Sequence, residues 1–89
     1  MNVVWRPQAS REFSEIVAHL HEQSPAGAAR IYEQILHSVS FLADWPMMGR
    51  AARRGNRELV IPHTPYVVIF KVEKNVVRIR RVLHGSRRR

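Results

Sequence analysis

Apolar residues in the first half of the chain recur with a helical period. Ala9, Phe13, Ile16, Val17 and Leu20 follow one another at steps of four, three, one and three, which places them on one stripe of an α-helix. Pro7 suits the first turn of that helix, where its missing N–H has no partner to lose. The spacing predicts a helix over Pro7 to Glu22. Ser24-Pro25 restarts the pattern, with Ser24 as N-cap and Pro25 at the first helical position. Ala28, Ile31, Ile35, Val39 and Leu42 form a second stripe, flanked by Tyr32 and Leu36. This helix should run to about Ala43 and stop at Asp44-Trp45-Pro46. A link of only about two residues makes the pair an antiparallel hairpin.

Outside the hairpin the pattern becomes that of strands. Asn2 to Trp5 is a short β-type run ended by Arg6-Pro7. Met47 to Asn56 reads as a basic loop with Gly49 and Gly55 as hinges. Arg57 with Leu59, Val60 and Ile61 forms the first of three closing strands, and two prolines keep Pro62-His63-Thr64-Pro65 out of the ladder. Tyr66 to Val72 is apolar at nearly every position, which predicts a central strand covered on both faces. Glu73-Lys74-Asn75 turns the chain into Val76 to Leu83. The order is β-α-α-β-β-β, an α+β domain spanning residues 1–89, with the helical hairpin packed on one face of a small antiparallel sheet.

Composition narrows the class. Eighty-nine residues hold one core. The longest apolar run, near Tyr66 to Phe70, is far short of the ~20 residues a membrane span needs, so no membrane partner is expected. Arg6 and Pro7 interrupt the N-terminus too early for a secretory signal. With no cysteine there is no disulfide framework and no thiolate metal site. A cytoplasmic protein without metal or cofactor is expected.

Charge changes the picture more. Fifteen Lys+Arg oppose seven Asp+Glu, a net charge of +8. Lys71 and Lys74 are the only lysines, so arginine carries the bias. Its planar fork suits bidentate contact with phosphate or carboxylate, which implies a polyanion or an acidic protein as partner.

Several fragments, in order and spacing, carry a family resemblance. They are the opening strand into Pro7-Gln8-Ala9, the helical hairpin, Pro46-Met47-Met48-Gly49-Arg50, Arg57-Glu58-Leu59, Pro65-Tyr66-Val67-Val68 and Ile79-Arg80-Arg81-Val82-Leu83-His84-Gly85. With these the chain resembles the RelE/ParE superfamily of toxins from type II toxin–antitoxin operons. The resemblance implies a small toxin neutralised by a cognate, acidic, DNA-binding antitoxin in a hetero-oligomer. It also implies one of two activities, ribosome-dependent cleavage of messenger RNA or poisoning of DNA gyrase.

Metal-free RNA cleavage needs an acid or base and cations for the developing phosphorane charge. The candidates are His84, a residue type suited to either role, with Arg57, Arg80, Arg81 and Arg87. The RelE-like nucleases carry cations where this chain has Glu58, Val60 and Val67, and those departures point to the ParE-like branch. The reading is therefore a ParE-like toxin that binds DNA gyrase, through a face made of Arg50, Arg53, Arg54, Arg57, Arg81 and Arg87. The alternatives are a ribosome-dependent endoribonuclease and a non-toxic antitoxin-binding scaffold.

Other features read as structural. Arg78 and Arg80 share one strand face and read as a solvated edge. His19, His21, His37 and His63 have no ligand spacing. Trp5 and Trp45 read as core or rim packing. Arg87-Arg88-Arg89 reads as a solvated tail that is also able to attract nucleic acid.

Overall fold

In the computed structural model, which describes residues 1–87, the two apolar stripes form α1 (Pro7–Gln23) and α2 (Pro25–Ser40). The Ser24 hydroxyl accepts the Gly27 N–H at 3.0 Å, satisfying a donor that a helix start otherwise leaves free. A 3₁₀ turn, Phe41–Ala43, tightens the chain beyond α2, so the predicted end at Ala43 holds with a change of winding after Ser40. Arg88 and Arg89, the end of the expected arginine tail, lie outside the described residues.

The strands are β1 (Asn2–Trp5), β2 (Arg50–Ala51), β3 (Arg57–Val60), β4 (Tyr66–Glu73) and β5 (Val76–His84). They form one sheet in the order β1-β5-β4-β3-β2. The α+β class and the β-α-α-β-β-β order stand, with two differences. First, β1 pairs parallel with β5, with Asn2 opposite Val76 and Trp5 opposite Ile79, so the sheet is mixed. A four-residue strand carries no mark of the neighbour it will choose. Second, Arg50–Ala51, inside the expected loop, pairs antiparallel with Arg57 and Glu58 of β3. Two residues show no alternation to read.

Both helices cover one face of the sheet. Ala9, Phe13, Ile31, Ile35, Val39 and Leu42 meet Leu59, Val68, Phe70, Val77, Ile79 and Val82 in a single core. Trp5 stacks on Phe13, and Phe13 on Tyr32, each with centroids 5.3 Å apart. Trp45 is 64% exposed, so only one of the two tryptophans helps pack the helices. The prediction that β4 is covered on both faces holds only in part. The strand is third of five, and on its second face Val67 is buried beside the closing turn, but no α-helix lies there and Ile69 and Lys71 are half-buried. Among the described residues, no helix is long and apolar enough to cross a membrane.

One irregularity decides which side chains share a face. Ile69 pairs with Arg81 and Phe70 with Ile79, so Arg80 is an extra residue in β5. Such a bulge shifts the alternation by one. Val77 and Ile79 stand two apart and point to the core, and after the bulge Val82, three beyond Ile79, points there as well.

Turn chemistry holds the ladder ends. Lys74 and Asn75, with φ of +50° and +64°, form the two-residue β4–β5 hairpin, which favours left-handed backbone at both positions. Gly49 has φ +81°, and a Cβ there would lie 2.0 Å from the Glu58 carbonyl oxygen. Gly55 shares the positive φ, but its Cβ would meet only the Lys71 side chain, at 3.4 Å.

Two outcomes are expected in urea denaturation. Phe70→Ala should cost about 3–5 kcal/mol, the usual loss for emptying a buried aromatic site. Gly49→Ala should cost clearly more than Gly55→Ala, because only the former drives backbone against backbone; equal losses would contradict this.

Candidate functional site

The uncovered sheet face carries an open depression of about 1160 Å³. Its floor includes Ile69 of β4 and Leu83 of β5, and six arginines line it: Arg6, Arg50, Arg53, Arg54, Arg80 and Arg81. Three parts of the fold deliver them. Arg6 sits at the β1–α1 junction, where its backbone N–H donates to the Ile79 carbonyl at 2.9 Å. Arg50, Arg53 and Arg54 come from β2 and the 3₁₀ turn after it, in which Arg54 adopts φ +59°. Arg80 and Arg81 are the consecutive residues of the bulge.

The six are not equally available. Arg50 Nε donates to Glu58 Oε1 at 3.1 Å. Arg81 is held more firmly: its Nε donates to Glu12 Oε2 at 2.9 Å and its terminal nitrogen lies 2.8 Å from the same oxygen. Glu12 Oε1 also accepts the Val82 N–H at 3.0 Å. One α1 carboxylate thus ties down the bulge and its second arginine together. The hydrogen bond to Glu12 raises Arg81 above its ordinary pKa, against a smaller opposing effect of burial. A cation with a raised pKa stabilises the fold below its ordinary value and loses that contribution only as pH climbs through the raised one, so Arg81 stays charged across the physiological range. Arg6, Arg53, Arg54 and Arg80 make no side-chain hydrogen bond or ion pair among the described residues.

Of the expected face, Arg50, Arg53, Arg54 and Arg81 come together, while Arg57, Arg87 and His84 lie elsewhere. Arg57 pairs across the ladder with Phe70, a core residue, so it leaves the strand on the helix side. Its guanidinium donates to the carbonyls of Met47 at 2.9 Å and Gly49 at 3.3 Å, bracing the turn into β2. Arg87 is exposed in the closing 3₁₀ turn. His84 pairs with Tyr66 at the end of the helix-side face, their rings edge to face at 5.9 Å. Its Nδ1 accepts the Ser86 N–H at 3.2 Å and contacts the Ser86 hydroxyl at 2.9 Å. With Nδ1 accepting, the neutral ring carries its proton on Nε2.

Arg6 carried no signal in the sequence, and Arg80 was a candidate cation set aside as a solvated edge. Strand alternation did pair Arg80 with Arg78 on one face. β1 ends opposite Ile79, so Arg80 does stand on an open stretch of β5, and there it lines the depression. Arg78 turns to Glu73, at 3.5 Å.

Comparison with known proteins matches this geometry to a family. Residues 3–89 match the family model described as ParE toxin of type II toxin-antitoxin system, parDE. The chain is 34% identical over 82 residues to the putative toxin Y4kP of Sinorhizobium fredii, covering 91% of this chain and 84% of that one. It is 33% identical over 85 residues to toxin RelE2 of Caulobacter vibrioides, covering 96% of each. Among solved structures, the chromosomal ParDE TA system from P. aeruginosa superposes with a TM-score of 0.85, over 94% of this chain and 95% of that one, at 23% identity. That likeness is one of fold.

Two substitutions test the bracing contacts. Glu12→Ala leaves the Val82 N–H without its acceptor and should cost about 1–3 kcal/mol, whereas Glu12→Gln keeps an acceptor and should cost less. Arg57→Ala should speed amide exchange in residues 47–51 while β4 and β5 stay protected. Uniform exchange across the sheet would show that Arg57 braces more than its turn.

Proposed function

Because the chain belongs to the ParE toxin family of type II toxin–antitoxin systems, we propose that it arrests growth by binding DNA gyrase and is released from that role by a cognate antitoxin. One observation carries the choice of a binding mechanism. The arginine-lined depression and His84 lie on opposite faces of the sheet. General acid–base cleavage of RNA needs the proton carrier and the phosphate-binding cations within hydrogen-bond reach of one reacting group. Here the cations gather on one face, while the histidine rests against Tyr66 and Ser86 on the other. Arg57 is spent on turn carbonyls. A cationic depression from which the histidine is absent, and whose lining carboxylate, Glu58, is engaged by Arg50, is suited to holding a target rather than cutting it.

The antitoxin is expected to cover apolar surface. Tyr32, Leu36, Phe41, Trp45 and Met47 are exposed along α2 and the segment that follows it. Apolar side chains grouped in this way mark protein contact sites. An acidic partner bound there also offsets the net charge of +8 and, by binding the folded state alone, stabilises a small domain.

Two relatives of similar length are toxins named RelE2 and RelE1, which keeps a ribosome-dependent nuclease as the competing reading. Supercoiling by purified gyrase separates the two. The toxin should block supercoiling, His84→Ala should retain that block, and Arg53→Ala with Arg54→Ala should weaken it by about tenfold or more. Untouched supercoiling, together with codon-positioned cleavage of translated messages that His84→Ala abolishes, would establish the nuclease instead.

A further inference from the structure

We propose that the depression on the open sheet face binds the sugar–phosphate backbone of a single nucleic-acid strand, gripped by Arg6, Arg53, Arg54 and Arg80. The proposal rests on the reading that this arginine face meets the target, and it names what the face holds. Arginine offers five N–H donors and no acceptor, and six arginines dominate the lining. The lining carboxylate, Glu58, is engaged by Arg50 at 3.1 Å. A donor-rich site fits a ligand that only accepts, and a phosphodiester backbone is such a ligand. A peptide fits poorly. Lying across a sheet face rather than along an edge, it gains no ladder bonds, and its own N–H groups would find few side-chain acceptors, namely Gln8, Asn56 and the Arg50-bound Glu58.

The four unpaired arginines come from the β1–α1 junction, the turn after β2 and the bulge of β5. Four cations on three separate segments suit a strand, which brings one charge per nucleotide, better than a ligand with a single charge. At about 1160 Å³ the open depression has room for a short stretch of one strand, whose flexible backbone follows cations on three segments better than a stiff duplex does. Ile69 and Leu83 give sugars and bases an apolar surface that offers no hydrogen bonds. No aromatic platform lines the site, so recognition is by charge and shape, with little choice of sequence. DNA and RNA should bind alike, because contacts to phosphates do not read the 2′-hydroxyl.

Fluorescence anisotropy with labelled twelve-nucleotide dT and U oligomers, without gyrase or ribosome, tests this between 50 and 250 mM salt. Four phosphate contacts give a log–log salt slope of about −2.8 for a single strand. Each of Arg6→Ala, Arg53→Ala, Arg54→Ala and Arg80→Ala should flatten it by about 0.7 and weaken binding several-fold. Arg30→Ala, an exposed position on α2, should leave the slope unchanged, and circular dichroism confirms that each variant is folded. A duplex of the same length and an oligoglutamate of equal charge should both compete less well than dT. Equal slopes for Arg30→Ala and the four site variants would overturn the proposal, as would tighter binding of duplex or oligoglutamate. If oligomers fail to bind while gyrase is still inhibited, this inference falls and the gyrase reading stands.

Discussion

The carboxylate of Glu12 on the β5 bulge is the contact on which the two faces of this protein depend. β5 must supply core residues both before and after the bulge, and its apolar positions, Val77, Ile79 and Val82, are out of step for a regular strand. The extra residue restores the step, at the usual cost of an unpaired backbone group. β1 has already ended opposite Ile79, and Glu12 meets the Val82 N–H from α1 instead. The same carboxylate takes the Arg81 guanidinium, so a packing correction on one face decides which arginine stays available on the other.

That asymmetry follows from size. Two helices of 17 and 16 residues are enough to cover one face of a five-stranded sheet. The second face has long arginine stems, the β2 turn and, beside Val67, the closing turn at Gly85 as cover. Arginine suits this position because its aliphatic stem lies on apolar surface while its head remains in water. The uncovered face is therefore cationic and accessible together, and it forms a shallow site without a helix being given up to make one.

Legibility followed the length scale of each signal. The helical hairpin was readable because Ser24, Pro25 and two apolar stripes act locally, within one or two turns. The β4–β5 hairpin was readable because Glu73-Lys74-Asn75 separates two runs rich in β-branched residues. β2 was not readable, since a two-residue strand exists only through its partner β3. Arg50, Arg53 and Arg54 were found as a cationic cluster because they are neighbours in the chain. Arg6 and Arg80 stand 74 positions apart and meet the same depression only because β1 lies beside β5. Arg57 looked like a member of the cluster by sequence proximity, but ladder register sends it to the opposite face and into the carbonyls of Met47 and Gly49.

By itself, then, the sequence determined the class of fold, the helix limits, the arginine bias and the family. Each of these is set by short-range periodicity, capping chemistry or composition. Only the tertiary structure decided that the sheet is mixed, that β5 is bulged, and that His84 and the free arginines face opposite ways. These depend on strand order and on a one-residue shift in register, which a period of two converts into a change of face. The chain carries its cations in plain view, but which of them act together is a property of the sheet.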